Sequence, residues 1–369
     1  MKTKAAVLFE TGGKWTVEEL DLDPPADREI LVELAGSGLC HTDDHSVTGD
    51  VPLYLPTVGG HEGAGIVREV GKDVTRFKVG DHVVLCVVPS CGACRWCAAG
   101  LGNLCDRGAW ALAGHAPDGT FRHHLNGQDI GSFCQLGAFS QFCVTNEIQA
   151  VKIDDDIPLH LAALVGCGVT TGWGASVRAG KVVPGDTVVV VGVGGVGMSA
   201  VQGARIAGAA KIVAVDPVAF KRDEAMKFGA THTAASAEEA LELVKSITNG
   251  IGADKAIICV GVVRGELIAP VMALVSKSGR VVVTGVSPMY DDKVTLSLFD
   301  LAMMQKELVG HIFGQARAQA DFPRIFDLYR SGALKLEEMV TRTYALEDIN
   351  QGWEDMFEGR NIRGLITFN

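Results

Sequence analysis

The chain carries no run of lysine and arginine and no basic stripe. Its balance is acidic, with 33 basic against 44 acidic residues, a formal net charge of −11 and a pI near 5.4. A phosphate-tracking surface needs the opposite sign, which excludes nucleic acid from the expected partners. No apolar run approaches the ~18 residues that cross a bilayer, and the N-terminus meets Glu10 before the core of a signal peptide could form. Neither a membrane partner nor export is expected, and the chain reads as cytoplasmic. Aromatic residues are scarce at 6%, whereas glycine is plentiful at 45 residues. With 47% hydrophobic residues, 369 positions suffice for a large core divided between two domains. Without a secretory signal, ten cysteines do not suggest a disulfide framework.

Residues 1 to about 155 read as strand-rich. Short apolar runs such as Lys4–Phe9, Glu29–Leu34, Gly65–Val70 and His82–Val87 alternate with turn residues, and no helical period dominates. From Asp186 the pattern becomes strand–helix–strand. Thr187–Val191 is a β-branched run suited to a buried parallel strand. Further strands are expected at Lys211–Val215, Lys255–Cys259 and Arg280–Thr284, with helices at Phe220–Phe228, Glu238–Ser246 and Glu266–Val275. That succession implies an α/β doubly wound parallel sheet. Ile362–Phe368 looks like a closing strand that rejoins the first domain.

Gly192-Val193-Gly194-Gly195-Val196-Gly197 follows the valine strand directly and opens a helix. A G-x-G-x-x-G pattern alone is weak evidence, but here its setting fits a pyrophosphate site at a helix N-terminus. Asp216 lies 19 residues beyond Gly197, at the end of the next strand. A carboxylate there accepts from a ribose diol and repels a 2′-phosphate, so NAD is favoured over NADP. Lys221 and Arg222 nearby are cations that could accommodate the extra phosphate.

Four cysteines, Cys91, Cys94, Cys97 and Cys105, crowd into one short stretch. Four thiols with no spare position suit a closed, structural zinc site. An iron–sulfur cluster or free thiols are the alternatives. A second set is scattered: Cys40 and His41, His61 and Glu62, and Cys167. Two thiolates and an imidazole would leave a tetrahedral position open, as a catalytic zinc requires, but sequence distance cannot bring them together. Cys167 could equally be a small core hydrophobe, and Cys86, Cys134, Cys143 and Cys259 are read that way.

With these segments in order, and with Gly38-Leu-Cys-His-Thr-Asp43, Gly60-His-Glu-Gly-Ala-Gly65, Leu164-Val-Gly-Cys-Gly168 and Ile362-Arg363, the whole chain resembles the zinc-dependent medium-chain alcohol dehydrogenases. The resemblance implies a GroES-like β-rich catalytic domain (residues 1–168 and 313–369, with a zinc lobe at about 89–106) and a Rossmann domain (169–312). It implies that Cys40, His61 and Cys167 hold a catalytic zinc and the clustered cysteines a structural one, giving two zinc ions and NAD(H) per subunit. Asp43 would orient His61, and Glu62 would sit behind the metal. Thr42 would receive the alcohol proton and His45 pass it to solvent. His41 and Arg363 would contact the pyrophosphate, Thr171 and Val196 would press the nicotinamide, and backbone at Val286 and Phe313 would fix its carboxamide. The partners would be a small alcohol or aldehyde, an external electron acceptor and further copies of the chain, as a dimer or tetramer.

Within the family, Val213–Arg222, Gly166–Gly174 and Pro117–Arg122 are similar to the actinobacterial NDMA-dependent enzymes, or nicotinoproteins, which keep NAD(H) bound and recycle it in place. The expected activity is oxidation of an alcohol to an aldehyde or ketone, and the reverse, by hydride transfer. One alternative is a mycothiol- or other thiol-dependent formaldehyde dehydrogenase. Glutathione-dependent members carry an anion-binding arginine where this chain has Ala109, although Arg107 is close. Another alternative is a non-catalytic NAD-binding redox sensor, for which an open zinc position would serve no purpose.

Overall fold

The valine run Thr187–Val191 is buried at every position and lies at the centre of a six-stranded parallel sheet. Lys211–Val215 pairs on one side and Ala253–Ile258 on the other, with Val191 opposite both Val215 and Ile258. Outward from these come His232–Ala234 on one flank and Val275–Val283, then Glu307–Gly310, on the other. Parallel neighbours require crossovers, and the helices Gly195–Ile206, Ala219–Phe228 and Ala237–Ile247 supply three of them. The order reverses between Thr187–Val191 and Ala253–Ile258, so the crevice for a ligand lies beyond their C-terminal ends, beside Gly192 and Cys259. The short strands His232–Ala234 and Glu307–Gly310 are additions to the sequence reading. Three or four residues at a sheet edge carry too little pattern to be seen.

The computed structural model describes residues 1–368. Its chain contacts form two units. One comprises Met1–Cys167, Arg317–Tyr329 and the residues from Leu336 onward; the other comprises Gly168–Ala316 with Arg330–Lys335. The expected boundary at 313 therefore moves. Residues 313–316 go with the parallel-sheet unit, because Gly314 is packed so closely on Gly174 that a Cβ on Gly174 would lie 2.7 Å from Gly314 Cα.

The first unit is strand-rich as expected. A closed barrel is built from Lys2–Leu8, Thr16–Leu22, His123–Leu125, Gln128–Ser132 and Thr57–Val58. A seven-stranded sheet contains Glu29–Gly38 and Gly63–Val70. The closing strand, Arg363–Thr367, pairs antiparallel with Gly36–Gly38 and parallel with Val340–Tyr344. The sequence reading named no helix in this unit, which holds Ala318–Arg330, Ile349–Phe357 and, nearer the site, His41–Thr48. The last has no apolar stripe, since its buried positions are Asp43, Asp44, His45 and Ser46, so hydrophobic periodicity could not reveal it.

The strand Val340–Tyr344 and the helix Ile349–Phe357 are tied together by Asp355, whose carboxylate is almost fully buried. It accepts from Arg342 and Arg360, each at 2.6 Å, from the Tyr344 hydroxyl at 2.7 Å and from Gln351 at 3.1 Å. Burial opposes its charge, but these donors hold its carboxyl well below the usual range. Asp355→Asn is expected to cost about 2 kcal/mol, the scale of lost hydrogen bonds to a charged group. The depressed group stabilises the fold above its unfolded pKa and loses that contribution as pH falls through its folded value. The difference in urea midpoint between parent and variant should therefore be full at pH 7 and shrink below about pH 4. A constant difference would remove Asp355 as the cause.

Candidate active site

Cys40 follows the strand Glu29–Gly38 and sits at the N-cap of His41–Thr48. His61 and Glu62 occupy the approach to Gly63–Val70, and Cys167 follows the turn Ala163–Gly166. The structure brings these four together, one ligand atom from each lying within 4.8 Å of the others. His61 is wholly buried, and its Nδ1 lies 3.0 Å from Asp43 Oδ1, which also accepts from the Gly60 N–H at 3.0 Å. The carboxylate accepts the Nδ1 proton, so that the neutral ring presents its lone pair at Nε2. That Nε2 has no hydrogen-bond partner although it is buried, a costly arrangement unless something else binds there. Two thiols and one imidazole nitrogen form the donor set that suits zinc.

The electrostatics agree. Burial would push His61 down, but Asp43, Cys167 and Cys40 hold it well above its ordinary value. Burial raises Asp43 despite His61. Cys40 is pulled low, first by a hydrogen bond from Cys167 and then, against burial, by His61 and Arg363. Acidic groups are thus concentrated out of water, where a divalent cation would be favoured.

Glu62 is fully buried, and burial raises it to about 7 even though Arg363 bonds to it. Arg363 was expected at the pyrophosphate. Its guanidinium bonds to Glu62, in the same unit, through one terminal nitrogen and supplies the counter-charge that a buried carboxylate needs. Gly38 leaves room for this pair; a Cβ there would fall 2.0 Å from Glu62 Oε2. Thr42 Oγ1 lies 3.7 Å from Cys40 Sγ. His45 is buried on the helix, with Nδ1 3.2 Å from Asp50 Oδ2. His41 is half-buried and meets the Phe357 ring edge to face. Sequence reasoning missed Trp353, whose Nε1 donates to Asp44 at 3.2 Å and anchors the same helix. No local signal links residues 309 positions apart.

In the second cysteine group, the Cys91 and Cys97 sulfurs lie 4.0 Å apart, as do those of Cys94 and Cys105. This is twice a disulfide bond and close to the ~3.8 Å edge of a tetrahedron with zinc–sulfur bonds of about 2.3 Å. Backbone N–H groups turn inward: Cys94 N donates to Cys91 Sγ and Cys97 N to Cys94 Sγ. Bonds from the N–H groups of Cys97 and Asp106 bring Cys94 down to about 6, favouring the thiolate. Nearby, Arg107 stacks on Trp110.

In the parallel-sheet unit, Gly192 has φ +83 and Gly197 lies so near it that a Cβ would fall 1.9 Å from Gly192 O. Gly194, at the N-cap of Gly195–Ile206, faces open space, with nothing within 4 Å of a Cβ. That is the cradle a pyrophosphate needs. Asp216 is buried at the end of its strand and accepts from Val193 N–H at 3.0 Å and Val218 N–H at 2.9 Å. Lys221 is in the first turn of Ala219–Phe228, whereas Arg222 is turned back onto the carbonyls of Asp216 and Pro217. Gly172 brings the helix carrying Thr171 against Val196, with a Cβ position 2.1 Å from Val196 O. The Val286 carbonyl accepts from Val263 N–H, and Phe313 is buried in a left-handed turn.

Metal analysis should find two zinc ions per parent chain and one in Cys94→Ser. Because thiolate ligation couples folding to metal, the variant should also melt several degrees earlier. His61→Ala should lose one zinc and all turnover but little thermal stability. Equal zinc content in parent and Cys94→Ser would overturn the four-thiolate assignment.

Residues 26–155 match the alcohol dehydrogenase GroES-like domain family, and residues 195–331 the zinc-binding dehydrogenase family. The chain is 50% identical to a putative alcohol dehydrogenase D of Mycobacterium tuberculosis, covering 100% of both. It is 48% identical to an NDMA-dependent alcohol dehydrogenase of Amycolatopsis methanolica, covering 99% of each. The crystal structure of benzyl alcohol dehydrogenase from Acinetobacter calcoaceticus superposes with a TM-score of 0.93 at 30% identity, covering 100% of both chains. Its donor sets, its glycine turn and these full-length likenesses agree, and the chain belongs to the zinc-dependent, NAD-linked alcohol dehydrogenase family of oxidoreductases.

Proposed function

We propose that this enzyme interconverts a small alcohol and its aldehyde or ketone with NAD(H) that stays bound and is recycled in place by an external acceptor. Cys40, His61 and Cys167 would hold the catalytic zinc, and the four-cysteine lobe the structural one. The observation that carries the catalytic assignment is the buried, partnerless Nε2 of His61 facing two thiols. When bound, zinc supplies the Lewis acidity that makes an alcohol hydroxyl acidic at neutral pH, and NAD the hydride acceptor.

The chain's own groups do the rest. Asp43 holds the His61 ring in one tautomer and orientation. Thr42 Oγ1, beside Cys40, accepts the substrate hydroxyl proton, and His45 passes it on toward solvent. Its Nδ1 faces Asp50 Oδ2 at 3.2 Å, which orients the ring. Glu62, balanced by Arg363, modulates the charge beside the metal ligands. In the nucleotide site, Asp216 has acceptor capacity left for a ribose diol after its two backbone bonds. Arg222 is occupied by carbonyls, which supports NAD over NADP.

Cofactor retention is supported by the 48% identity to the NDMA-dependent relative. Association of copies is supported by exposed Met289, Tyr290, Leu298, Phe299 and Met303, close in sequence to the edge strand Glu307–Gly310; sedimentation of the purified chain measures it. No helix among the described residues is long and apolar enough to cross a membrane, and all ten cysteines are free, which supports a cytoplasmic enzyme.

The deciding experiment is purification without added cofactor. The protein should carry an NADH absorbance band, bleach it with NDMA, regain it with an alcohol and turn over only with both. Protein free of nucleotide, but active with added NAD, would overturn retention and leave the dehydrogenase standing. Gly194→Val should weaken NADH binding at least tenfold, worth ~1.4 kcal/mol or more, because its side chain enters the space open to the pyrophosphate. The cofactor-free variant should melt with the parent stripped of its nucleotide.

A further inference from the structure

The neighbouring parallel strands Val275–Val283 and Glu307–Gly310 end in register, with Val283 opposite Gly310. Thr284 and His311 follow them side by side. His311 Nε2 lies 3.0 Å from Thr284 Oγ1, and the Gly314 N–H donates to His311 Nδ1 at 3.0 Å. A backbone N–H can only donate, so Nδ1 is bare and the ring proton resides on Nε2, directed at Thr284 Oγ1. The Thr284 hydroxyl proton is then free to point at Cys259, whose thiol it holds lower than burial alone would. Burial pushes His311 itself down to about 4, so the neutral ring that this pattern requires is the form present near pH 7.

The turn that His311 accepts from is strained. Phe313, Gly314 and Gln315 have φ of 56°, 62° and 54°, and two of the three are not glycine. Consecutive left-handed residues persist only where the surroundings hold them. Here the turn is gripped from two sides. A Cβ on Gly314 would lie 2.6 Å from Thr170 O and 2.9 Å from Thr171 O, so the helix Gly168–Gly174 packs against its backbone. The hydrogen bond to His311 closes the other side.

We propose that His311 is a positioning residue for the cofactor. By accepting from Gly314 it holds the Phe313 backbone in the left-handed shape that receives the nicotinamide carboxamide, and thereby slows NADH release. The proposal rests on the reading above that places the carboxamide at Phe313. His311 touches neither substrate nor zinc ligands in this scheme; its effect is on the lifetime of the bound nucleotide.

The test measures NADH dissociation from the full-length, zinc-loaded protein by loss of its fluorescence in excess competing NAD. Parent, His311→Ala, His311→Gln and Gly194→Val are compared, with circular dichroism and zinc content confirming that each is folded. His311→Ala should release NADH at least tenfold faster, a change worth ~1.4 kcal/mol. His311→Gln, whose amide can accept from Gly314 and donate to Thr284, should return to within about threefold of the parent. If His311→Gln is as fast as His311→Ala, the role is packing alone and the proposal falls. If His311→Ala matches the parent while Gly194→Val binds weakly, the proposal falls and the nucleotide site stands. Should Gly194→Val bind NADH like the parent, the nucleotide-site reading falls and takes the proposal with it.

Discussion

The hydrogen bond from His61 to Asp43 is the constraint around which the first unit's site is built. It sits wholly out of water, so the carboxylate cannot exchange its partner for solvent, and one ring nitrogen must carry the proton. The other nitrogen is then committed to face Cys40 and Cys167 as an acceptor. Asp43 is itself fixed by Gly60 and by its place on a short helix, which Asp44 secures to Trp353. Loss of the Asp43 carboxylate would free the ring to rotate and to choose its tautomer. A donor atom would then no longer be aimed before the metal arrives.

Charge balance is the second constraint. Around the two thiols lie Asp43, Glu62, His61 and Arg363, all buried. Only one of these side chains is a permanent cation. Burial consequently raises Glu62 even with Arg363 bonded to it. The cysteine lobe solves a related problem locally. Its sulfurs are drawn from one short loop whose own N–H groups donate to Cys91 and Cys94, while burial pushes Cys105 up to about 12.

Much of this was legible in the sequence where residues act near one another. The valine strand, the glycine turn and Asp216 lie within one strand–helix–strand unit, and the four lobe cysteines within one loop, so spacing reports their geometry. The convergence of Cys40, His61 and Cys167 was legible only through resemblance, because no local period encodes it. The helix His41–Thr48 escaped because its buried face is polar. The pairing of Arg363 with Glu62 escaped because the two lie 301 positions apart and no local pattern links them. His311 was invisible for a different reason. Its significance depends on a backbone conformation three residues away, and residue types do not announce consecutive positive φ angles.

The closing strand carries a consequence for how the protein is made. Arg363 and Trp353 reach partners that lie 301 and 309 positions earlier in the chain. During synthesis on a ribosome, Glu62 and Asp44 emerge long before either partner exists, while the intervening parallel-sheet unit has time to fold on its own. The nascent N-terminal segment must therefore wait with an unbalanced acid in its interior and an open sheet edge at Gly36–Gly38. Completion of this unit thus waits until Arg363–Thr367 has been translated. A chain that stopped before Arg363 would lack this strand and have no counter-ion for Glu62, however well its parallel-sheet unit had formed.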